Sequence, residues 1–172
     1  MSTFKPIRLT DVNAGDVMEA WKNERLPRAA VIGFGRVGRG VVAPRLIDSG
    51  YLTYALDRNT PLVDEYKGPQ KGAYSVLSVN HGAKRAEIIG GVWLMDSNSE
   101  FDNFVKMSSQ ENVSLIVTAT SPISITASIG DPRNLANVIT SVLKARFTSY
   151  GGEAKPLDII STEAMPYASY AL

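Results

Sequence analysis

The residues best suited to chemistry in this sequence are Gly33-Phe34-Gly35-Arg36-Val37-Gly38, a G-x-G-x-x-G that follows the apolar run Ala29 to Ile32. In a strand-to-helix setting each glycine of such a motif has a mechanical task. Gly33 permits the tight turn, Gly35 lets a pyrophosphate approach the backbone, and Gly38 allows the helix to pack close to the strand. Phosphates would then lie on the free N–H groups and the positive dipole end of the helix. A glycine-rich turn without a ligand is the alternative, and the strand-to-helix context disfavours it. Arg36 and Arg39 flank the helix start, where they add positive charge or are simply solvated.

Asp57 lies 19 residues beyond Gly38, at the expected carboxyl end of a second strand. An acid there accepts hydrogen bonds from adenosine ribose hydroxyls and repels a 2′-phosphate, so the expected cofactor is NAD rather than NADP. Arg58 pulls the other way, because an arginine there can pair with a 2′-phosphate. Across the crevice, Thr120 and Ser121 are either turn formers ahead of Pro122 or contacts to ribose and nicotinamide. Glu163 is a candidate on the nicotinamide-ribose or substrate side. His81, the one histidine, falls in a hairpin turn, and neither a metal-ligand spacing nor a Ser/His/Asp arrangement is present.

The elements that must hold these residues follow from hydrophobic periodicity. Residues 1–28 read as an N-terminal arm with a short helix (Val17, Met18, Trp21), and 29–172 as one dinucleotide-binding domain. Strands are expected at 29–32, 52–56, 92–95, 115–118 and 157–160, with an antiparallel pair at 74–79 and 86–89. Val37, Val41, Val42 and Leu46 mark a helix that Pro44 should disturb. Ser97 or Asn98 would cap a helix bearing Phe101, Phe104 and Val105. Asp131-Pro132 would open another, carrying Leu135, Val138, Ile139, Val142, Leu143 and Arg146. Residues 59–73 read as a loop or poorly formed helix. This alternation specifies an α/β fold, a Rossmann-like, doubly wound, mainly parallel sheet with a small antiparallel β excursion.

Composition narrows the classes further. The 172 residues are 44% hydrophobic and contain no cysteine, which excludes disulfide scaffolds and thiol nucleophiles. A net charge of +1 gives no bulk field for nucleic acid or an anionic membrane. No apolar run approaches the roughly 20 residues of a membrane-spanning helix, so a cytoplasmic protein is expected.

Three segments carry a family resemblance: IGFGRVGRGVV (Ile32 to Val42), IGDPRNLANVITSVLKARF (Ile129 to Phe147) and PLDIISTEAM (Pro156 to Met165). Together they resemble the N-terminal NAD-binding domain of the mannitol dehydrogenases, the polyol-specific long-chain dehydrogenases. The resemblance implies pyrophosphate at Gly33, Gly35 and Gly38, the adenosine ribose on Asp57, and Thr120 and Ser121 beside the nicotinamide half. Glu163 matches the glutamate of the family's Glu-Asn-Met ending, here Glu163-Ala164-Met165. In the family the catalytic lysine belongs to a helical C-terminal domain. The resemblance therefore implies a cofactor domain of a polyol or sugar-phosphate dehydrogenase whose catalytic half is absent from this chain or is a separate subunit. The alternatives are a stand-alone nucleotide-binding module acting as redox sensor or interaction subunit, and a small reductase that borrows its acid. Self-association through an uncovered apolar face is a further expectation.

Overall fold

In β1 (Arg28–Ile32) every residue is buried, so both faces of the strand need a partner layer. The computed structural model, which describes residues 26–70, 72–80, 83–127 and 134–162, supplies two. Ala30 and Ile32 join Tyr54, Leu56, Met95, Phe104, Ile116, Leu135, Val138 and Val142 on one side. Ala29 and Val31 join Phe34, Val42, Leu46, Ala55, Val63, Tyr66, Leu94 and Val117 on the other. Apolar runs without alternation are the signature of strands covered on both faces.

Five strands of the described residues form one parallel sheet in the order β5-β2-β1-β6-β7, comprising β2 (Leu52–Asp57), β5 (Trp93–Asp96), β6 (Val113–Thr118) and β7 (Asp158–Ser161). The chain leaves β1 towards β2 and β5, then crosses to the opposite side for β6 and β7. This reversal opens a crevice beyond the carboxyl ends of β1 and β6, the place where open α/β sheets bind ligands. The excursion is a separate antiparallel pair, β3 (Ala73–Asn80) and β4 (Ala83–Gly90). The doubly wound, mainly parallel sheet with its small antiparallel appendage is thus present as expected.

The helices depart from expectation in instructive ways. The glycine motif leads into a π-helical turn, Gly38–Val42, continued by α1 (Ala43–Asp48). Pro44 lies just beyond this turn and, having no N–H, cannot continue its hydrogen-bond ladder. Val42 and Leu46 are buried, whereas Val37 and Val41 are exposed. Residues 60–67 form a true helix, α2 (Thr60–Lys67), because Asn59 caps it and Pro61 sits in its first turn. The next helix, α3 (Phe101–Ser108), starts from Glu100, not from Ser97 or Asn98. The side chain of Glu100 reaches back instead, its Oε2 accepting from the Asp96 N–H at 2.9 Å.

Pro122 opens a short helix, α4 (Pro122–Thr126), where the sequence reads as turn. The long helix α5 (Leu135–Tyr150) is capped by Asn134, whose side chain accepts from the Asn137 N–H. Asp131-Pro132 lies outside the described residues, as do the expected N-terminal helix, His81 and Glu163. Leu143 faces solvent rather than the core, while Arg146 is buried and donates to the carbonyls of Gln110 (2.5 Å) and Lys155 (2.8 Å).

Candidate functional site

The turn after β1 is built around two positions where only glycine fits. Gly33 has φ +95°, and a Cβ there would stand 2.5 Å from the Ala119 carbonyl oxygen. At Gly38 a Cβ would stand 2.2 Å from the Gly33 carbonyl oxygen, so the helix start is pressed directly onto the turn. Gly35 is the opposite case: nothing lies within 4 Å of a Cβ built on it. Its openness leaves room for a ligand to approach the backbone. The Gly33 N–H donates to Leu56 O and the Ala119 N–H to Ile32 O, both at 2.8 Å, tying the turn to β2 and β6.

Asp57, the last residue of β2, is aimed at this turn. Its Oδ2 accepts from the Phe34 N–H at 2.6 Å and its Oδ1 from the Asn59 N–H at 2.8 Å. Two backbone donors fix the carboxylate, yet each oxygen retains a lone pair for a further donor. The Phe34 side chain points away into the core, where its ring stands edge-on to Tyr66 and Tyr74, with centroids 5.6 Å from each. The Tyr66 hydroxyl donates to Val92 O at 3.0 Å and the Tyr74 hydroxyl to Arg39 O at 2.8 Å. Burial pushes the Tyr74 phenol well above its ordinary value; Tyr66 adds to the rise and Arg39 opposes it. Tyr74 is therefore a permanent donor.

Beside the turn lies a cleft of about 220 Å³. Ile32, Leu56, Leu135 and Val138 contribute apolar lining, while Gly33, Gly35, Asp57, Arg58, Thr120 and Ser121 bring the sequence-derived candidates to one place. Arg36 and Val37 are exposed and are not among the lining residues. Ser97, Ser124, Leu135 and Val138 are lining residues that sequence reasoning missed. Ser97 had a usable signal, its place just past the expected strand 92–95, and the register agrees: Asp96 pairs with Asp57 across β5 and β2. The apolar pair gave none, because helix periodicity marks a core face without saying which part of that face is left open.

A polar network stiffens the β5 end of the cleft. Burial acts to raise the Asp96 carboxyl, but hydrogen bonds from Thr60 and Asn98 and the charge of Lys67 outweigh it and hold the group below its ordinary range. Burial likewise acts to raise Glu100, and its ion pair with Lys67, together with the Asp96 N–H, holds it down. On the far side, the Thr162 N–H (3.0 Å) and hydroxyl (2.6 Å) both donate to Thr118 O, fixing the exit of β7. Among the described residues there is no group of three or more His, Asp or Glu that could hold a metal ion, and no helix long and apolar enough to cross a membrane.

The profile of the mannitol dehydrogenase Rossmann domain matches residues 27–172. The chain belongs to this family. Mannitol-1-phosphate 5-dehydrogenase from Geobacillus thermodenitrificans is 29% identical over 138 residues, 80% of this chain and 32% of the relative. The Bacillus licheniformis enzyme of the same name is 30% identical over 133 residues, 77% of this chain and 31% of the relative. The Rossmann domain therefore spans about a third of the length of the relatives it matches.

Its fold is shared with mannitol 2-dehydrogenase from Pseudomonas fluorescens, solved as a ternary complex with NAD and D-mannitol. There the TM-score is 0.65 at 10% identity, covering 97% of this chain and 37% of that one. A D-sorbitol dehydrogenase in substrate-free form gives a TM-score of 0.68 at 12% identity, covering 87% of this chain and 36% of that one.

Proposed function

We propose that this mannitol dehydrogenase Rossmann domain binds NAD(H) across the cleft and serves as the cofactor half of a polyol or sugar-phosphate dehydrogenase. The carrying observation is the pairing of an open Gly35 with an Asp57 carboxylate already held by the Phe34 N–H of the same turn. A dinucleotide needs close backbone approach at its phosphates and an acceptor at its adenosine ribose, and these two features sit side by side. The bound cofactor would supply hydride transfer.

The residues of this chain bind and orient. The helical run that begins at Arg36 presents its free N–H groups and positive end to the pyrophosphate. Asp57 takes ribose hydroxyls on its remaining lone pairs, and the apolar lining of Ile32, Leu56, Leu135 and Val138 shelters flat rings. Thr120 and Ser121 lie on the β6 side of the crevice, where they meet the nicotinamide half; the family resemblance adds Glu163 as a contact on the nicotinamide-ribose or substrate side. The carboxylate of Asp57 disfavours a 2′-phosphate, and NAD is preferred over NADP despite the exposed Arg58 alongside.

The acid/base group that completes the reaction belongs to a further domain or subunit. NADH and NADPH fluorescence titrations, followed by turnover assays with fructose 6-phosphate, fructose and hexuronates, test this reading. Binding of NADH in preference to NADPH, without turnover by this chain alone, is the expected result. Turnover by the chain alone would overturn the assignment of the acid/base group, and preference for NADPH would overturn the cofactor choice.

A further inference from the structure

Tyr74 belongs to the β3–β4 hairpin, none of whose described residues lines the cleft, yet its hydroxyl reaches the backbone of the phosphate-binding helix. The reason lies in the hydrogen-bond ladder of the π-turn. In a regular α-helix the Ala43 N–H would donate to Arg39 O; here it donates to Gly38 O, five residues back. A continuing π-ladder would turn Arg39 O over to residue 44, and residue 44 is proline, which has no N–H. Arg39 O is thus passed over twice by its own helix, and the Tyr74 hydroxyl meets it at 2.8 Å.

The register of this turn matters because Gly38 is the contact with Gly33 O. If the π-turn relaxed to α-helix, the residues before it would rotate by about 100° and move about 1.5 Å along the axis. Val37 or Arg39 would then bring a Cβ towards a carbonyl that leaves room for none. Gly33 and Gly35, and with them the phosphate-binding backbone, would have to shift. We propose that Tyr74 is a positioning residue for the dinucleotide: by capping Arg39 O it holds the π-turn that sets Gly38 on Gly33 and so fixes the cofactor-binding loop. The hairpin acts as a brace for the nucleotide turn. Its aromatic neighbours locate the hydroxyl, since Tyr74 packs edge-on to Phe34 of that same turn and lies 6.1 Å from Tyr66 by ring centroids.

This inference rests on the NAD(H) reading above, and the test separates the two. Tyr74→Phe keeps the ring and removes only the hydroxyl, while Pro44→Ala restores an N–H five residues beyond Arg39. Both single variants and the double variant of the whole chain are titrated with NADH and melted thermally. Tyr74→Phe is expected to weaken NADH binding about tenfold, the loss of one partner from a part-buried carbonyl. Pro44→Ala alone should bind within about twofold of wild type, and adding it to Tyr74→Phe should recover most of the lost affinity, because Arg39 O regains a donor. The Tm penalty of Tyr74→Phe should likewise shrink in the Pro44→Ala background. Wild-type binding with an unaffected Tyr74→Phe, or a double variant as weak as Tyr74→Phe alone, would overturn the proposal. Absence of NADH binding by the wild type would defeat the cofactor reading itself, and the Tm cycle would still report whether the hydroxyl caps the turn.

Discussion

Gly35 and Gly38 are three residues apart and carry opposite constraints, which makes them a sharp pair of probes. A methyl at Gly38 collides with the Gly33 carbonyl, whereas one at Gly35 meets nothing in the free protein. Gly38→Ala should therefore destabilise the fold by about 1–3 kcal/mol, as overpacking does. Gly35→Ala should leave the melting temperature nearly unchanged and weaken NADH binding, because its methyl occupies the phosphate approach. Calorimetric melts and fluorescence titrations of the two variants read the difference. Asp57→Ala removes the proposed ribose acceptor and should cost about 1.5–3 kcal/mol of NADH affinity, roughly tenfold to a hundredfold. It should also narrow the NADH-over-NADPH preference, measured by paired titrations. The placement of these residues in one turn was legible in the sequence because glycine spacing and a strand-end acid are local signals. The second task of Asp57, holding the Phe34 N–H, was not, since it depends on the close approach of β2 to the turn.

At the scale of elements, hydrophobic runs located the strands to within a few residues because buried parallel strands are continuous in sequence. Helix starts were less legible. Asn59 and Asn134 each cap a helix through a side-chain oxygen, and several Ser, Asn and Asp residues nearby offered the same chemistry. Pro44 foretold an irregularity, but the π-turn and its cap from Tyr74 are consequences of tertiary packing. The Asp96–Glu100–Lys67 network makes one element acid-sensitive. Both carboxyls titrate below their ordinary values of 3.8 and 4.5 in the folded chain, so they favour folding above those values. Stability contributed by them should decline as pH falls through that range towards the depressed folded values. Urea denaturation at a series of pH values should show this decline, and Glu100→Gln should flatten it.

For the whole molecule, the five-stranded parallel sheet and the family match support the proposed NAD(H) binding. On α5, Leu143, Phe147 and Tyr150 are exposed at helical spacing, and Ile159 and Ile160 are exposed on β7, the edge strand of the described sheet. Fold class was readable from the alternation of apolar runs and helical stripes, since that pattern depends only on which faces must be buried. Substrate choice was not, because the chain matches only about a third of the length of its relatives.

The central claim, that NAD(H) binds across this cleft, is tested most directly by titrating the ¹⁵N-labelled chain with NADH and following the backbone amides. The account predicts saturable shifts concentrated at Gly33 to Gly38, Asp57, Arg58, Ser97, Thr120 and Ser121, and weakened in Asp57→Ala. Shifts centred elsewhere, or none at saturating NADH, would contradict it.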